Sequence, residues 1–177
     1  MDIKTRLSHR IGMEDIHEIT YLLQNNNQKK QELYECLFDT DDNIGYNAAW
    51  VMTHFSLNDN VWLYNKQDEL IDGLLLCEHP GKRRLILCLL YRQPLRNPPR
   101  VDFLDFCLER MISKRELPGV QSLCMKLAYE LCRLTPELLE ELKTILEMME
   151  YDLVPSIRTV RKNILNAMPK GKSLQSY

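Results

Sequence analysis

An apolar helix opening that recurs about every 36 to 39 residues constrains the fold of this chain more than any other feature. The openings lie at Ile44, near Lys82, at Val120 and at Ile157. A period in this range is typical of stacked two-helix repeats, in which each repeat buries its apolar face against the next. Such repeats form a binding surface and leave the chemistry to what binds there, so the period predicts a fold but no particular function.

The composition also favours helices. The 177 residues include six Gly and eight Pro, few for a protein of many turns and strands, and 45% of them are hydrophobic. We therefore predict an all-α fold and a single domain over residues 1–177. We expect residues 1–40 to form an N-terminal helical cap, residues 41–168 to form about three and a half helix pairs, and residues 169–177 to form a mobile tail.

The N-terminal part of the chain begins with two helix-like segments. Met13–Leu23 and Gln28–Phe38 predict a capping hairpin. Apolar residues share one helical face from Ile44 to Phe55 and again from Lys66 to Cys77. We expect Asn58-Asp59-Asn60 to break the chain between these last two helices, which together form the first full pair.

The middle of the chain is the one place where a strand remains an alternative. The run Leu85–Tyr91, which follows the turn His79-Pro80-Gly81, is apolar on all sides. A short apolar run fits a buried helix or a buried strand, and the helical spacing of the neighbouring segments favours a helix. After Asn97-Pro98-Pro99, a stiff connector, helical spacing resumes in Val101–Ile112.

Proline marks the helix starts in the C-terminal part. Pro118, Pro136 and Pro155 each suit the first position of a helix, and Thr135 is predicted to cap the second of these helices through its side-chain oxygen. No further helix follows the last one, so a second copy of the chain could cover its apolar face. The residues of that candidate homodimer contact are Ile157, Val160, Ile164 and Met168.

From residue 41 to residue 168 the chain resembles HEAT and armadillo repeats, in which a first helix often opens with Pro and an aliphatic-Arg pair. Ile157-Arg158 matches that pair, whereas Gln121 and Gly45 replace the arginine in two other repeats. The resemblance implies a right-handed α-α superhelix whose second helices line a concave groove. The chain is also similar to short uncharacterised bacterial HEAT-like proteins, some of which carry enzyme names such as adenylosuccinate lyase.

The residues give no support to an enzyme. The superfamily of that lyase uses a Gly-Ser-Ser-rich loop, which this chain lacks, and the sequence contains no HExxH, no Gly-x-Ser-x-Gly and no clustered glycines that would hold a phosphate. His17 with Glu14 and Glu18 resembles half of a metal site, but such trios are common on helix surfaces. We predict no catalytic residue, no cofactor and no metal.

The cysteines and the apolar runs bear on location. The six cysteines form no CxxC pair, which favours buried, reduced thiols and a cytoplasmic protein. The N-terminus carries charges throughout and lacks the apolar core of a signal peptide. No apolar stretch reaches about 18 residues, so we expect no membrane association.

Charge is segregated along the chain, although the formal net charge is only −2. From Lys82 to Arg100 there are six basic residues and no acidic one, whereas Thr135 to Asp152 holds six acidic residues and one lysine. Each block can be a solvated helix face. Because arginine makes bidentate contacts with carboxylate and phosphate, the basic block is also a candidate anion or nucleic-acid site. The candidate residues of this arginine cluster are Arg83, Arg84, Arg92, Arg96 and Arg100.

A protein or a peptide is the expected partner, bound in the groove that the second helices line. The candidate groove residues are Asp102, Asp105, Glu137, Glu140 and Glu141. Nucleic acid is the alternative partner, because HEAT-like DNA glycosylases combine aromatic with charged groove residues. The aromatic residues here are Tyr46, Trp50, Phe55, Trp62 and Tyr64. For these we favour packing between the first repeat and the N-terminal hairpin, because aromatic side chains dominate core burial.

Overall fold

The computed structural model describes residues 2–149 and 153–177, and within them it contains helices and no strand. Two short 3₁₀ segments, Tyr64–Lys66 and Met168–Lys170, accompany the α-helices. The α-helices are α1 (Ile3–Leu7), α2 (Met13–Leu23), α3 (Asn27–Cys36), α4 (Asp42–Met52), α5 (Leu57–Val61), α6 (Gln67–Leu76), α7 (Pro80–Tyr91), α8 (Val101–Arg110), α9 (Pro118–Cys132), α10 (Pro136–Glu147) and α11 (Pro155–Ala167). The all-α prediction is confirmed.

The repeat period is visible in the helix starts. Helices α4, α7, α9 and α11 begin at residues 42, 80, 118 and 155, which are 38, 38 and 37 residues apart. A proline occupies the first turn of α7, α9 and α11, where its missing N–H costs no hydrogen bond. Thr135 precedes α10, but its side chain makes no capping hydrogen bond, so that detail of the prediction is wrong.

The contacts of the chain divide it into two compact units, and the first of them, unit 1 (Met1–Gln93), is organised around α4. Helix α4 contacts α1, α2, α3 and α7. Its residues Ala48, Ala49, Val51 and Met52 have no exposed surface. The small alanines allow the neighbouring helices to approach closely, since the distance between helix axes depends on the side chains at the contact.

Unit 2 (Pro94–Tyr177) is organised around α9. Helices α8, α10 and α11 all contact α9. Ten of the fifteen residues of α9 are buried, and a helix that is apolar on most sides requires neighbours on most sides. The organisation of residues 1–177 as a single domain stays a prediction.

Two helices lie where the sequence predicted none. Helix α1 precedes the predicted hairpin. Helix α5 occupies the segment that Asn58-Asp59-Asn60 was expected to break, and it is capped by Ser56, whose hydroxyl accepts a hydrogen bond from the Asp59 N–H. Asp59 and Asn60 are buried; Lys30 forms an ion pair with the Asp59 carboxylate, and the Asn60 side-chain NH₂ donates to the Arg92 carbonyl.

The run Leu85–Tyr91 is helical, so the strand alternative is wrong. Leu87, Leu89 and Leu90 have no exposed surface, and α4 and α6 both contact this helix. A helix that is apolar on all sides is thus surrounded, as its composition requires.

The cysteines are free thiols throughout the described residues. Cys77 and Cys88 are half-buried, and the other four are buried. In unit 2, burial raises the pKa of Cys107 well above its usual value, and a hydrogen bond with Cys124 raises it further. The Cys107 thiol therefore stays protonated and contributes to the core as a small apolar group.

The apolar face of α11 is covered within the chain. Ile157 is 5% exposed, Ile164 is 0% exposed and Met168 is 9% exposed, and α11 packs along α9. The prediction of a homodimer contact assumed that no other part of the chain covers these side chains. That assumption is wrong. Residues 171–174, within the segment that the sequence predicts to be a mobile tail, are hydrogen-bonded to the side chains of Tyr129, Glu130 and Arg133.

Candidate binding surfaces

The arginine cluster predicted from the sequence has members in both compact units. Arg83, Arg84 and Arg92 belong to unit 1, whereas Arg96 and Arg100 belong to unit 2. Arg84 and Arg96 are exposed, and the other three are half-buried. Each of these three arginines donates hydrogen bonds to a nearby group of the chain. Those contacts determine how far its charge is already offset within the protein.

Arg92 holds the end of one helix against another. Its guanidinium donates to the carbonyl oxygens of Thr53, at 2.8 Å, and of Phe55, at 3.1 Å, just after the C-terminus of α4. Its own carbonyl accepts a hydrogen bond of 2.8 Å from the Asn60 side chain. A cation suits this position, because the last carbonyls of a helix lack intrahelical partners and carry partial negative charge. Arg92 thus has a structural role within unit 1.

Arg83 and Arg100 also have local partners. The Arg83 guanidinium donates to the carbonyl of Cys77 at 2.9 Å, next to the start of its own helix. Arg100 makes a bidentate contact with Asp102 at 3.1 and 2.7 Å, and this hydrogen-bonded pair lowers the pKa of the Asp102 carboxyl. The charge of Arg100 is therefore largely offset by a carboxylate two residues away.

The candidate groove residues all lie in unit 2, on helices α8 and α10, and every one of them is exposed. Both helices pack against α9. Among the described residues, the carboxylates of Asp105, Glu137, Glu140 and Glu141 make no hydrogen bond or ion pair. These four and Asp102 are called here the acidic residues of α8 and α10. Glu150 and Asp152, which belong to the same acidic block, lie outside the part of the chain that the structure describes.

Helix α10 is less covered than its apolar stripe suggests. Only Leu142 and Leu146 are buried, whereas Leu138, Leu139 and Ile145 are half-buried. The helix therefore presents apolar side chains beside its carboxylates. An apolar surface rimmed by charged residues is a common mark of a protein contact.

The aromatic residues separate into different groups. The Tyr46 ring lies 6.5 Å from that of Trp50 and 5.9 Å from that of His79, whereas Trp62 pairs with Tyr34 at 5.9 Å. Tyr34 belongs to α3, so its contact with Trp62 agrees with packing between the first repeat and the N-terminal hairpin.

Around Tyr34 there is a cation site that the sequence did not reveal. The Lys66 ammonium lies 5.0 Å from the centre of the Tyr34 ring and 4.6 Å from that of Trp62. The Tyr34 hydroxyl donates to Glu69 at 2.8 Å, and burial together with this carboxylate raises the pKa of Tyr34 far above its usual value. Helical periodicity could not show this site, because its members come from three separate elements and the position is filled by the chain's own lysine.

A cavity of about 300 Å³ lies between α1 and α3. Lys4 forms an ion pair of 2.9 Å with Asp39 there, and this hydrogen bond lowers the pKa of Asp39. Burial raises the pKa of Cys36, so its thiol is not activated. The lining residues are Asp2, Ile3, Lys4, Glu32, Glu35, Cys36 and Asp39. The sequence could not predict this cavity, because α1 was not predicted.

Within the described residues no group of three His, Cys, Asp or Glu side chains could hold a metal ion. The same part of the chain contains no helix that is long and apolar enough to cross a membrane. His17, Glu14 and Glu18 are all exposed on α2, and Glu18 forms an ion pair with Arg6 at 3.1 Å.

The arrangement of helix pairs agrees with the match to a known protein family. A family model described as a HEAT repeat domain matches residues 3–168. The chain belongs to the HEAT repeat family. No curated protein and no solved structure matches it.

HEAT repeat proteins are generally non-catalytic scaffolds for protein interaction, and this role follows from their architecture, in which stacked helix pairs offer an extended surface. The family match begins at residue 3, so α1, α2 and α3 belong to the HEAT region as well. The match therefore reaches further toward the N-terminus than the resemblance in the sequence, which covered residues 41–168.

Proposed function

We propose that this HEAT repeat protein is a non-catalytic adaptor that binds a basic segment of a protein or peptide through the acidic residues of α8 and α10. The observation that carries the proposal is the state of these carboxylates. All five are exposed, and Asp102 alone has an internal cation as a partner. Exposed carboxylates without internal partners can form ion pairs with an external cation at little cost.

The apolar side chains beside them would supply the other part of the contact. Leu138, Leu139 and Ile145 on α10 and Phe106 on α8 are half-buried, and Val101 is 72% exposed. Burial of apolar surface provides most of the affinity in a protein contact, whereas complementary charge provides specificity and fast association. A partner of matching chemistry is a helix or an extended segment with lysine or arginine on either side of apolar residues.

The experiment is charge reversal with a matched control. The test variant carries Glu137→Lys, Glu140→Lys and Glu141→Lys, and the control variant carries Glu14→Lys, Glu32→Lys and Glu78→Lys, three exposed carboxylates of unit 1. Both variants change the formal net charge from −2 by +6, to +4, so the comparison separates a local contact from the overall charge.

Tagged wild type and both variants are used to capture proteins from a nuclease-treated lysate, and the recovered proteins are quantified by mass spectrometry. We expect proteins that wild type and control recover equally and that the test variant recovers at least about tenfold less. Equal recovery of the same proteins by the test variant, with unchanged helix content by circular dichroism, would contradict the proposal.

Nucleic-acid binding through the arginine cluster remains the alternative from the sequence. Arg84 and Arg96 are the exposed members of the cluster. Binding to a phosphate backbone weakens steeply as salt rises, because counterions are released. Recovery that is lost after nuclease treatment and that falls steeply with salt would favour this alternative over the adaptor.

A further inference from the structure

The segment that follows α11 lies on α9, where two side chains of that helix and one of the residue after it bind the segment. The Tyr129 hydroxyl donates to the Lys172 carbonyl at 2.6 Å, and the Arg133 guanidinium donates to the Gly171 carbonyl at 3.0 Å. The Glu130 carboxylate accepts a hydrogen bond from the Ser173 hydroxyl at 2.6 Å and another from the Leu174 N–H at 2.9 Å. Residues 171–174 are called here the docked segment.

Most of these contacts recognise the backbone. Three of the four hydrogen bonds go to main-chain atoms of the docked segment, and the Ser173 hydroxyl makes the fourth. The spacing is specific, with a carbonyl acceptor at each of two consecutive residues, a hydroxyl donor at the third and an N–H donor at the fourth. Any segment that presents this order of groups satisfies the same three side chains, provided that its fourth residue is not proline.

The side chains of α9 that make these contacts are more buried than the docked segment that they bind. Tyr129 is 0% exposed and Glu130 is 8% exposed, whereas every residue from 171 to 177 is exposed or half-buried. Polar groups of α9 are thus buried beneath a segment that contributes no core residue. Arg133 lies 3.5 Å from Glu130 and offsets part of its charge.

The docked segment is joined to the rest of unit 2 through a turn. Gly171 has a φ of 60°, in the left-handed region, and it follows the 3₁₀ segment Met168–Lys170. A Cβ at this position would meet no atom within 4 Å, so the backbone conformation and not space explains the glycine. Gly171 is therefore the point at which the chain leaves the 3₁₀ segment and turns onto α9.

We propose that Tyr129, Glu130 and Arg133 form a peptide-binding site and that the docked segment fills it until a segment of another protein takes its place. The ligand is a short non-helical segment with a serine or threonine at the third of four positions. The site is separate from the acidic residues of α8 and α10, so its test does not depend on theirs.

The full chain with Ser173→Asp tests the proposal. An aspartate at this position faces the Glu130 carboxylate, and the repulsion between two negative charges favours release of the docked segment. Ser176→Asp is the matched control, since it adds the same charge three residues away, outside the four hydrogen bonds. The probe is a fluorescent peptide with the sequence of residues 169–177, and its binding is followed by anisotropy.

We expect the Ser173→Asp protein to bind the probe at least about tenfold more tightly than wild type or the Ser176→Asp control, because an occupied site lowers the apparent affinity for a competitor. Trypsin should cut after Lys172 faster in the same variant. Adding Glu130→Ala to it should weaken probe binding, because both acceptor oxygens are lost, and a probe with aspartate in place of Ser173 should bind the Ser173→Asp protein more weakly.

Two results would overturn the proposal. One is a Ser173→Asp protein with wild-type helix content that binds the probe no more tightly than the control. The other is a rate of cleavage after Lys172 that stays at the wild-type value, since this would show that the docked segment is a fixed part of the fold.

Discussion

The two units bury their polar side chains in different ways. In unit 1 the buried polar groups join elements that are distant along the chain: Lys30 pairs with Asp59 at 2.7 Å, and Gln67 donates to Gln93 at 2.9 Å. In unit 2 the buried Glu116 pairs with Arg110 only six residues away, at 2.6 Å, and Glu130 binds the docked segment. The buried polar pairs of unit 1 thus join α3 to α5 and the start of α6 to the residue after Arg92, whereas the buried carboxylates of unit 2 bind a residue six positions away and the docked segment, and the helices of unit 2 meet on the apolar surface of α9.

The difference teaches that one repeat architecture can be specified by two kinds of interaction. A buried polar group without a partner costs more than its hydrogen bond gains, so it penalises wrong helix pairings. Apolar packing tolerates many arrangements and gains its specificity from shape. We expect substitutions in the two units to differ accordingly.

The largest effect should come from the buried ion pair of unit 1. Asp59→Ala leaves the Lys30 ammonium, whose side chain is 5% exposed, without its partner. Removing one member of such a pair costs about 3–5 kcal/mol of unfolding free energy, which urea denaturation measures.

The control is the double variant Lys30→Met with Asp59→Leu, which removes both charges. It should regain most of the lost stability, because well-packed apolar groups often replace a buried ion pair without loss. If the single and the double variant lose the same free energy, the ion pair is not what distinguishes unit 1.

Unit 2 should respond most to a cavity in α9. Leu127 is 0% exposed, and Leu127→Ala should lower the free energy of unfolding by about 2–5 kcal/mol through lost burial and the cavity left behind. Leu134→Ala, at a position 59% exposed just beyond the same helix, should change it by less than about 0.5 kcal/mol. Similar losses in both variants would show that the core of unit 2 is not centred on α9.

A smaller effect on the free energy of unfolding should distinguish Arg92 from Arg84. Arg92→Ala removes two charge-assisted hydrogen bonds to the carbonyls of Thr53 and Phe55, which should cost about 1.5–3 kcal/mol. Arg84→Ala, at an exposed position of α7, the helix that Arg92 follows, should change stability by less than about 0.5 kcal/mol. Thermal or urea unfolding of the two variants measures the difference, and equal effects would return Arg92 to the candidate anion site.

Periodicity predicted most of the helices but not their environments. Pro118, Pro136 and Pro155 each begin a helix as expected. The prediction was wrong at Asn58-Asp59-Asn60, where the residue types indicate a break and the chain instead forms α5. The partners that make burial of Asp59 and Asn60 acceptable are Lys30 and the carbonyl of Arg92, and no local pattern could reveal them.

For the candidate binding sites, too, the sequence predicted residue types but not the contacts that those residues make. The sequence indicated which residues carry charge, and all five acidic residues of α8 and α10 are exposed. It could not show that Arg92 binds the end of α4 or that Lys66 lies between Tyr34 and Trp62. Both facts depend on side chains that come together only when the helices pack.

The sequence by itself determined the helical repeat, because the spacing of apolar residues and the position of a proline are properties of a short stretch of chain. The tertiary structure alone decided which charges are neutralised, which apolar faces are covered and that residues 171–174 lie on α9. The physical reason is that a hydrogen bond or a buried surface needs a partner, and the choice among distant partners is made only when the whole unit packs.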